Sequence, residues 1–284
     1  MKNIAILPNP NKDSELRVTK NLAEKLLNLG ATVYIETKYG EFVSEDVKKY
    51  EKLPECTELI IVVGGDGSVL DASVVAIEMD IPVLGVNLGK VGYLSEVEPD
   101  NLDILSRIIS DEYMIEEKML LAVSHISGDK AVSSSRFAVN DVIISHDTFL
   151  GIADFTLENG SGDFVKYRAD GMILSTPAGS TAYSLSAGGP IIAHDIESIV
   201  VTPICPHSFF NRSIIFKATE NIKLNNTGKT LLNLSIDGRY FTNLATGDSC
   251  VIRMAEKKLK MLTFSKNNMF STLFKKMRIL EDIK

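Results

Sequence analysis

The alternation of apolar and polar positions divides the chain into two textures. Residues 2–7 and 32–36 are short β-branched runs. Between them Leu16, Leu22, Leu26, Leu27 and Leu29 recur mainly on one side of a helix that Asp13 or Ser14 can cap and Gly30 can end. Residues 45–53 read as a short polar helix. The run Ile60-Ile61-Val62-Val63 is apolar at every position, as expected of a parallel strand covered on both faces. Residues 69–77 read as the helix that follows it, 81–87 as the next strand, and 99–111 as a further helix. Strands alternating with helices predict an α/β domain with a parallel sheet over residues 1–112.

Beyond that point short strand-like runs dominate: 119–126, 135–145, 152–158, 163–167, 172–175, 199–203, 213–217, 221–224, 231–236, 249–254 and 259–264. Turn signals such as Asn159-Gly160-Ser161-Gly162 and Thr246-Gly247-Asp248 separate many of them. They predict a β-rich second domain over 113–265, interrupted by one helix within 175–190. Residues 266–284 place Met269, Leu273, Met277 and Leu280 on one face and predict a C-terminal helix that packs back on a domain.

The candidate chemistry lies where the central strand ends, at Gly64-Gly65-Asp66-Gly67-Ser68. Glycines there permit positive φ and leave no Cβ in the way of a ligand. The helix start that follows turns N–H groups and the positive end of its dipole toward an anion, so phosphate is the natural guest. A carboxylate in that place repels phosphate unless it works. Asp66 can accept a proton from an attacking hydroxyl, or hold a metal that bridges phosphates; the alternative is a tight left-handed turn with a solvated Asp. Ligands of parallel sheets bind at the carboxyl ends of the strands. Asp66 falls at one such end and Asn87 at the next, where a second glycine-rich loop begins, Asn87-Leu88-Gly89-Lys90-Val91-Gly92-Tyr93-Leu94. Other phosphate motifs are missing. Residues 85–91 lack the spacing and the Ser/Thr of a P-loop, Gly228-Lys229-Thr230 has Lys223 where a glycine is required, and no G-x-G-x-x-G follows a predicted strand.

Composition narrows the setting. The 284 residues are enough for two well-buried cores. A formal net charge of −7 argues against nucleic acid or an anionic membrane as partner, and leaves an anionic substrate dependent on helix ends, a few Lys or Arg and a divalent cation. Cys56, Cys205 and Cys250 are far apart, form no CxxC, and read as reduced, buried thiols in a reducing compartment. Pro8 breaks the first apolar run too soon for a signal peptide, and no stretch approaches a membrane span, so a cytoplasmic enzyme is expected.

Taken in order, Gly64-Gly65-Asp66-Gly67-Ser68, Val139-Asn140-Asp141-Val142, Asp170-Gly171, Ser175-Thr176-Pro177-Ala178-Gly179-Ser180-Thr181-Ala182-Tyr183 and Thr202-Pro203-Ile204-Cys205-Pro206-His207 resemble the NAD kinases over most of the chain. The first motif is shared with diacylglycerol and sphingosine kinases and, more distantly, phosphofructokinases; the ordered set selects the family. The resemblance implies phosphorylation of the 2′-hydroxyl of the adenosine ribose of NAD to give NADP. ATP or polyphosphate would be the donor, with Mg²⁺ or another divalent cation. It implies an N-terminal α/β domain and a C-terminal β-rich domain with the active site in the cleft between them. It also implies a homo-oligomer, a tetramer or a dimer, in which a neighbouring subunit contributes to the NAD site.

Carried across by motif, Asp66 resembles the catalytic aspartate that takes the 2′-hydroxyl proton. Gly64, Gly65, Gly67 and Ser68 would cradle phosphate, with Gly67 also against NAD. Asn140 and Asp141 match a pair that holds the adenosine, and Asp170 an aspartate near the nicotinamide half. Thr181, Ala182 and Tyr183 match a stretch around the dinucleotide, and His207 a histidine close to the nucleotide. No side chain is assigned as a metal ligand. Three residues depart from the family pattern: Asp141 replaces a longer Glu, Ser68 a Thr, and Ala178 a Ser whose hydroxyl contact to NAD is lost. Lys90, Lys166, Arg168, Arg212 and Arg239 are candidates for phosphate contacts, although each taken singly reads more readily as a surface cation or a partner for a nearby acid. Asp237-Gly238 is either a plain hairpin turn or a nucleotide contact. Two rival functions share parts of this pattern. A lipid kinase leaves the later motifs unexplained, and a non-catalytic dinucleotide sensor would be favoured by loss of Asp66, which is present.

Overall fold

The computed structural model describes residues 2–89, 92–128, 130–132, 136–146, 151–207, 210–265 and 273. The chain divides into two compact units, Met1–Glu117 with Leu259–Lys284, and Lys118–Lys258.

In the first unit β1 (Asn3–Pro8) leads into α1 (Arg17–Asn28), β2 (Thr32–Glu36), β3 (Lys48–Tyr50), β4 (Leu59–Gly64), α2 (Asp66–Met79) and β5 (Val83–Asn87). The sheet order is β3-β2-β1-β4-β5, followed by Leu259–Thr263 and Met114–Lys118. Every pairing from β3 to β5 is parallel. Chain order reverses between β1 and β4, so the crevice of the sheet opens at their carboxyl ends. The apolar run of β4 is buried throughout, which its central position requires. Leu22, Leu26, Ile4, Ile6, Ile35, Ile61, Val63 and Leu84 share one core. Leu16 holds the N-cap position of α1, and the carboxylate of Asp13, three residues earlier, accepts the N–H groups of Val18 and Thr19, both at 2.9 Å.

Four expectations are corrected here. Residues 45–53 form no helix: Val47 is buried, and Lys48–Tyr50 pairs with β2 as an edge strand. Lysines suit an exposed edge, and Lys48 lays its ammonium 5.6 Å from the centroid of the Tyr34 ring. The helix over 99–111 is reduced to two short turns, Leu102–Leu105 and Ser106–Ile109. The strand at Leu259–Thr263 leaves the β-rich region and pairs with β5, Met261 opposite Val83, because Leu262 and Phe264 bury themselves in the core of the first unit. Finally, α2 begins at Asp66 and not at Val69: the N–H groups of Ser68 and Val69 both bond the carbonyl of Gly65. The predicted helix over 266–284 lies outside the described residues, apart from Leu273.

The second unit consists of two antiparallel sheets over one core that includes Phe155, Tyr167, Leu174, Leu224, Leu234 and Ile252. One sheet runs Ile214–Lys217, Ser198–Ile204, Gly171–Ser175, Asp141–His146, Leu232–Ile236, Arg239–Leu244. The strand expected over 135–145 is broken between Ala138 and Asp141. Its backbone N–H groups at the break go to a side chain, as described below.

Candidate active site

Each unit carries one group of the predicted residues. In the first unit, Gly64, Gly65, Asp66, Gly67 and Ser68 form the end of β4 and the first turn of α2. None of these glycines has positive φ, so the left-handed turn is excluded and their lack of a side chain serves proximity instead. A Cβ on Gly64 would come within 2.5 Å of the Ser68 hydroxyl oxygen, whereas one on Gly67 would meet nothing within 4 Å. Gly67 therefore leaves open space beside the N-terminus of a 14-residue helix, as an anion site requires.

The Asp66 carboxylate is fixed by the second glycine-rich loop. It accepts the backbone N–H of Tyr93 at 2.9 Å and of Leu94 at 3.1 Å. Gly92 makes this approach possible, since a Cβ there would overlap the Asp66 Oδ1. Both oxygens of the carboxylate are thus oriented by backbone donors, Oδ2 by Tyr93 and Oδ1 by Leu94. The second loop is itself tied down. Asn87 accepts the N–H of Gly89 at 3.1 Å, and Gly85 accepts the N–H groups of Glu96 and Val97. Lys90 lies outside the described residues.

The sequence reading missed two residues at this place. Asn9 donates to the Ser68 hydroxyl at 2.7 Å, and Lys12 carries its ammonium to Gly65. Both lie in the loop after β1. Only the adjacency of β1 and β4 brings them here, and the sole sequence signal was a basic residue in a loop that leaves a parallel strand.

In the second unit Asn140 and Asp141 sit at the break between strands. Asp237 organises them: its carboxylate accepts the N–H groups of Val139 at 2.8 Å, Asn140 at 2.7 Å and Asp141 at 3.1 Å. Asp237 holds φ at 49°, a left-handed conformation that Asp tolerates, and Gly238 follows at 77°. The hairpin turn is thus real, and its Asp side chain is spent on this loop. Asp141 is 4% exposed. Burial, together with the nearby Asp237 carboxylate, pushes its pKa up to about 7. Burial also raises Asp237, against the three backbone N–H groups that favour its charged form. The negative charge therefore belongs on Asp237, and the proton on Asp141.

The Ser175–Tyr183 stretch closes over the same loop. Asp141 pairs with Ser175 in register. Thr176 donates its hydroxyl to Val139 O at 2.7 Å and its N–H to Asn140 O at 2.9 Å. Gly179 packs so closely that any Cβ would overlap the Asn140 carbonyl. The Thr181 hydroxyl is used internally, on Ala178 O at 3.1 Å. Ala178 and Ala182 are half-buried, and the Tyr183 ring is 44% exposed and open to stacking.

Asp170 and His207 are brought together but lie elsewhere. Their side chains stand 3.9 Å apart, at the end of the Gly171–Ser175 strand opposite to Asp141. Strand rise makes that separation from Asp141 roughly 17 Å. Lys166, Arg168, Arg212 and Arg239 are all exposed, and Arg168 stands 3.6 Å from Asp154. Among the described residues no three acidic, His or Cys side chains converge as a metal cage.

Known proteins give this arrangement its context. Residues 4–113 match the family model of the ATP-NAD kinase N-terminal domain, and residues 139–264 that of the ATP-NAD kinase C-terminal domain. The chain is 36% identical over 285 residues to an NAD kinase of Lachnoclostridium phytofermentans, covering 96% of this chain and 98% of that protein. It is 32% identical over 281 residues to an NAD kinase of Natranaerobius thermophilus, covering 98% of each. In fold it is similar to a yeast NADH kinase complexed with NADH, with a TM-score of 0.84 and 24% identity over 96% of this chain and 86% of that one. It is also similar to an NAD kinase from Archaeoglobus fulgidus in complex with ATP, with a TM-score of 0.75 and 22% identity over 97% and 98%. With both domain models matched in order and such relatives spanning nearly its whole length, the chain belongs to the NAD kinase family.

Proposed function

We propose that this protein is an NAD kinase that transfers the terminal phosphoryl group of ATP to the 2′-hydroxyl of the adenosine ribose of NAD. The bond between the γ-phosphorus and the ADP oxygen breaks, a bond from phosphorus to the ribose 2′-oxygen forms, and the 2′-hydroxyl proton passes to Asp66. The products are NADP, ADP and a proton. The observation that carries this reading is the Asp66 carboxylate, fixed by two backbone N–H groups at the first turn of a helix that opens where the sheet reverses its order. Phosphoryl transfer through a loose transition state asks mainly for position, and a carboxylate that cannot rotate meets that demand.

Gly64, Gly65, Gly67 and Ser68 serve the donor phosphates in this scheme, and Asn140, Asp141, Ala178, Thr181, Ala182 and Tyr183 the dinucleotide. A divalent cation would ride chiefly on the donor phosphates, a mode that suits Mg²⁺. Bound there, it neutralises phosphate charge. Polyphosphate is a second candidate donor.

Asp170 and His207 fit the reading as contributors to the dinucleotide site of a neighbouring copy in a homo-oligomer. Their placement at the far end of the strand from Asp141 supports this. Mixing Asp170→Ala chains with Asp141→Ala chains should then restore activity that neither has alone. Of the three cysteines only Cys250 is buried as expected; Cys56 and Cys205 are exposed, and a reducing, cytoplasmic workplace fits their free thiols.

The direct test follows NADP with an NADP-specific dehydrogenase after mixing protein, NAD, ATP and Mg²⁺. Wild-type protein should form NADP, and Asp66→Asn should lose about 10²- to 10⁴-fold in turnover while it still binds NAD. Equal turnover in the variant would remove Asp66 from the mechanism.

A further inference from the structure

The loop after β1 carries a cation to the catalytic turn. A Cβ on Gly65 would come within 2.5 Å of the Lys12 Nζ, and one on Gly89 within 3.6 Å. One ammonium thus spans the carboxyl ends of β4 and β5, although it starts from the loop after β1.

Its position is built. The Asn9 carbonyl accepts the N–H groups of Lys12 at 3.0 Å and Asp13 at 2.9 Å, and the Asn9 N–H bonds Val63 O at 2.8 Å. The Asn9 side-chain amide accepts the N–H of Asn11 at 3.1 Å and donates to the Ser68 hydroxyl at 2.7 Å. This ties the loop to the first turn of α2. The neighbouring acid, Asp13, is directed into the start of α1 and does not neutralise the lysine. Among the described residues Lys12 forms no ion pair. In a chain of net charge −7, a lysine held over two glycines and left without a carboxylate is a conspicuous cation.

We propose that Lys12 is a donor-phosphate residue of this enzyme, its ammonium gripping the phosphates nearest the transferred group while Asp66 takes the acceptor's proton. The inference rests on the kinase reading above and adds the residue that neutralises the donor. Lysine suits that role as a compact point charge with three rotatable donors on a long stem. The same ammonium would compensate the charge that accumulates on the leaving phosphate as its bond to the transferred phosphorus lengthens.

The test compares Lys12→Met and Lys12→Arg with the wild type. Lys12 is exposed, so both variants should fold, and circular dichroism checks this. Loss of a charge-assisted phosphate contact should lower kcat/KM for MgATP by about 10- to 100-fold in Lys12→Met. NAD affinity measured by calorimetry should stay the same, and Lys12→Arg should keep most of the activity. An unchanged kcat/KM for MgATP overturns the proposal. So does an equal loss of NAD affinity, which would assign Lys12 to the acceptor. Should the wild type form no NADP, the kinase reading itself fails, and Lys12 is judged by binding alone. Calorimetry with MgATP and with inorganic tripolyphosphate must then show weaker binding to Lys12→Met than to the wild type; equal or absent binding in both refutes the assignment.

Discussion

Asp141→Asn should stabilise this protein and impair it at once, with a pH dependence that identifies the cause. In the folded chain burial, reinforced by the adjacent Asp237 charge, raises the Asp141 pKa from 3.8 to about 7. Between those values the folded state keeps a proton that the unfolded chain has released. Wild-type stability therefore falls as pH rises through this window, by about 1.4 kcal/mol per pH unit, and the full penalty is present above pH 7. Its ceiling is about 4 kcal/mol. An asparagine carries no charge, though its buried amide keeps a desolvation cost of about 1–2 kcal/mol. The variant should then be more stable than wild type by about 2–3 kcal/mol at pH 8. At pH 5 Asp141 is mostly protonated, and the gap should shrink by a similar amount. The chain has no tryptophan, so urea unfolding is best followed by far-ultraviolet circular dichroism. NAD affinity, measured alongside, should fall in the variant, because an amide replaces the carboxyl group at the proposed ribose contact. Parallel stability profiles for the two proteins between pH 5 and pH 8 would refute the reasoning.

Asp237→Asn removes the same charge and should do the opposite. An amide offers one acceptor oxygen to three backbone N–H groups, so stability should drop by about 1–3 kcal/mol at pH 5, and by less toward pH 8, where the wild type carries the cost of its buried charge; the same unfolding experiment measures both. Gly179→Ala forces a methyl into the Asn140 carbonyl, and should raise KM for NAD at least about 10-fold or prevent folding of the second unit; wild-type kinetics and melting would show the contact to be slack. Tyr183→Ala should weaken NAD binding by about 1–2 kcal/mol in calorimetry without lowering the melting temperature, since the ring is 44% exposed and contributes little to the core.

The turn that carries the proposed chemistry is a local segment and was therefore legible in the sequence. Val62-Val63-Gly64-Gly65-Asp66-Gly67 states a buried strand, a turn without side chains and one carboxylate, and each statement depends on neighbours in the chain. The α/β half and the β-rich half were legible for the same reason. What failed were segments whose local preference was weak. Residues 45–53 are polar enough for a helix, and the burial of Val47 beside β2 overrode that preference. The strand at Leu259–Thr263 looks like any other, and nothing within it says that its partner is β5, far away in the chain.

Tertiary structure decided which distant residues meet. The order β2-β1-β4 brings Asn9 and Lys12 from the first loop onto Ser68 and Gly65, and no pattern within residues 8–13 encodes that proximity. The hairpin at Asp237 returns to Asn140 across nearly one hundred residues, turning a turn residue into the clamp of the Asn140 loop and raising the pKa of its neighbour Asp141. Asp170 and Asp141 are both acids beside family motifs, yet the antiparallel register sets them at opposite ends of one strand. Sequence alone determined the residue types and the elements that bear them, because propensity and periodicity act over a few residues. Strand order, register and the environment of each carboxylate came only with the fold, because they depend on burial and on charges contributed by segments remote along the chain.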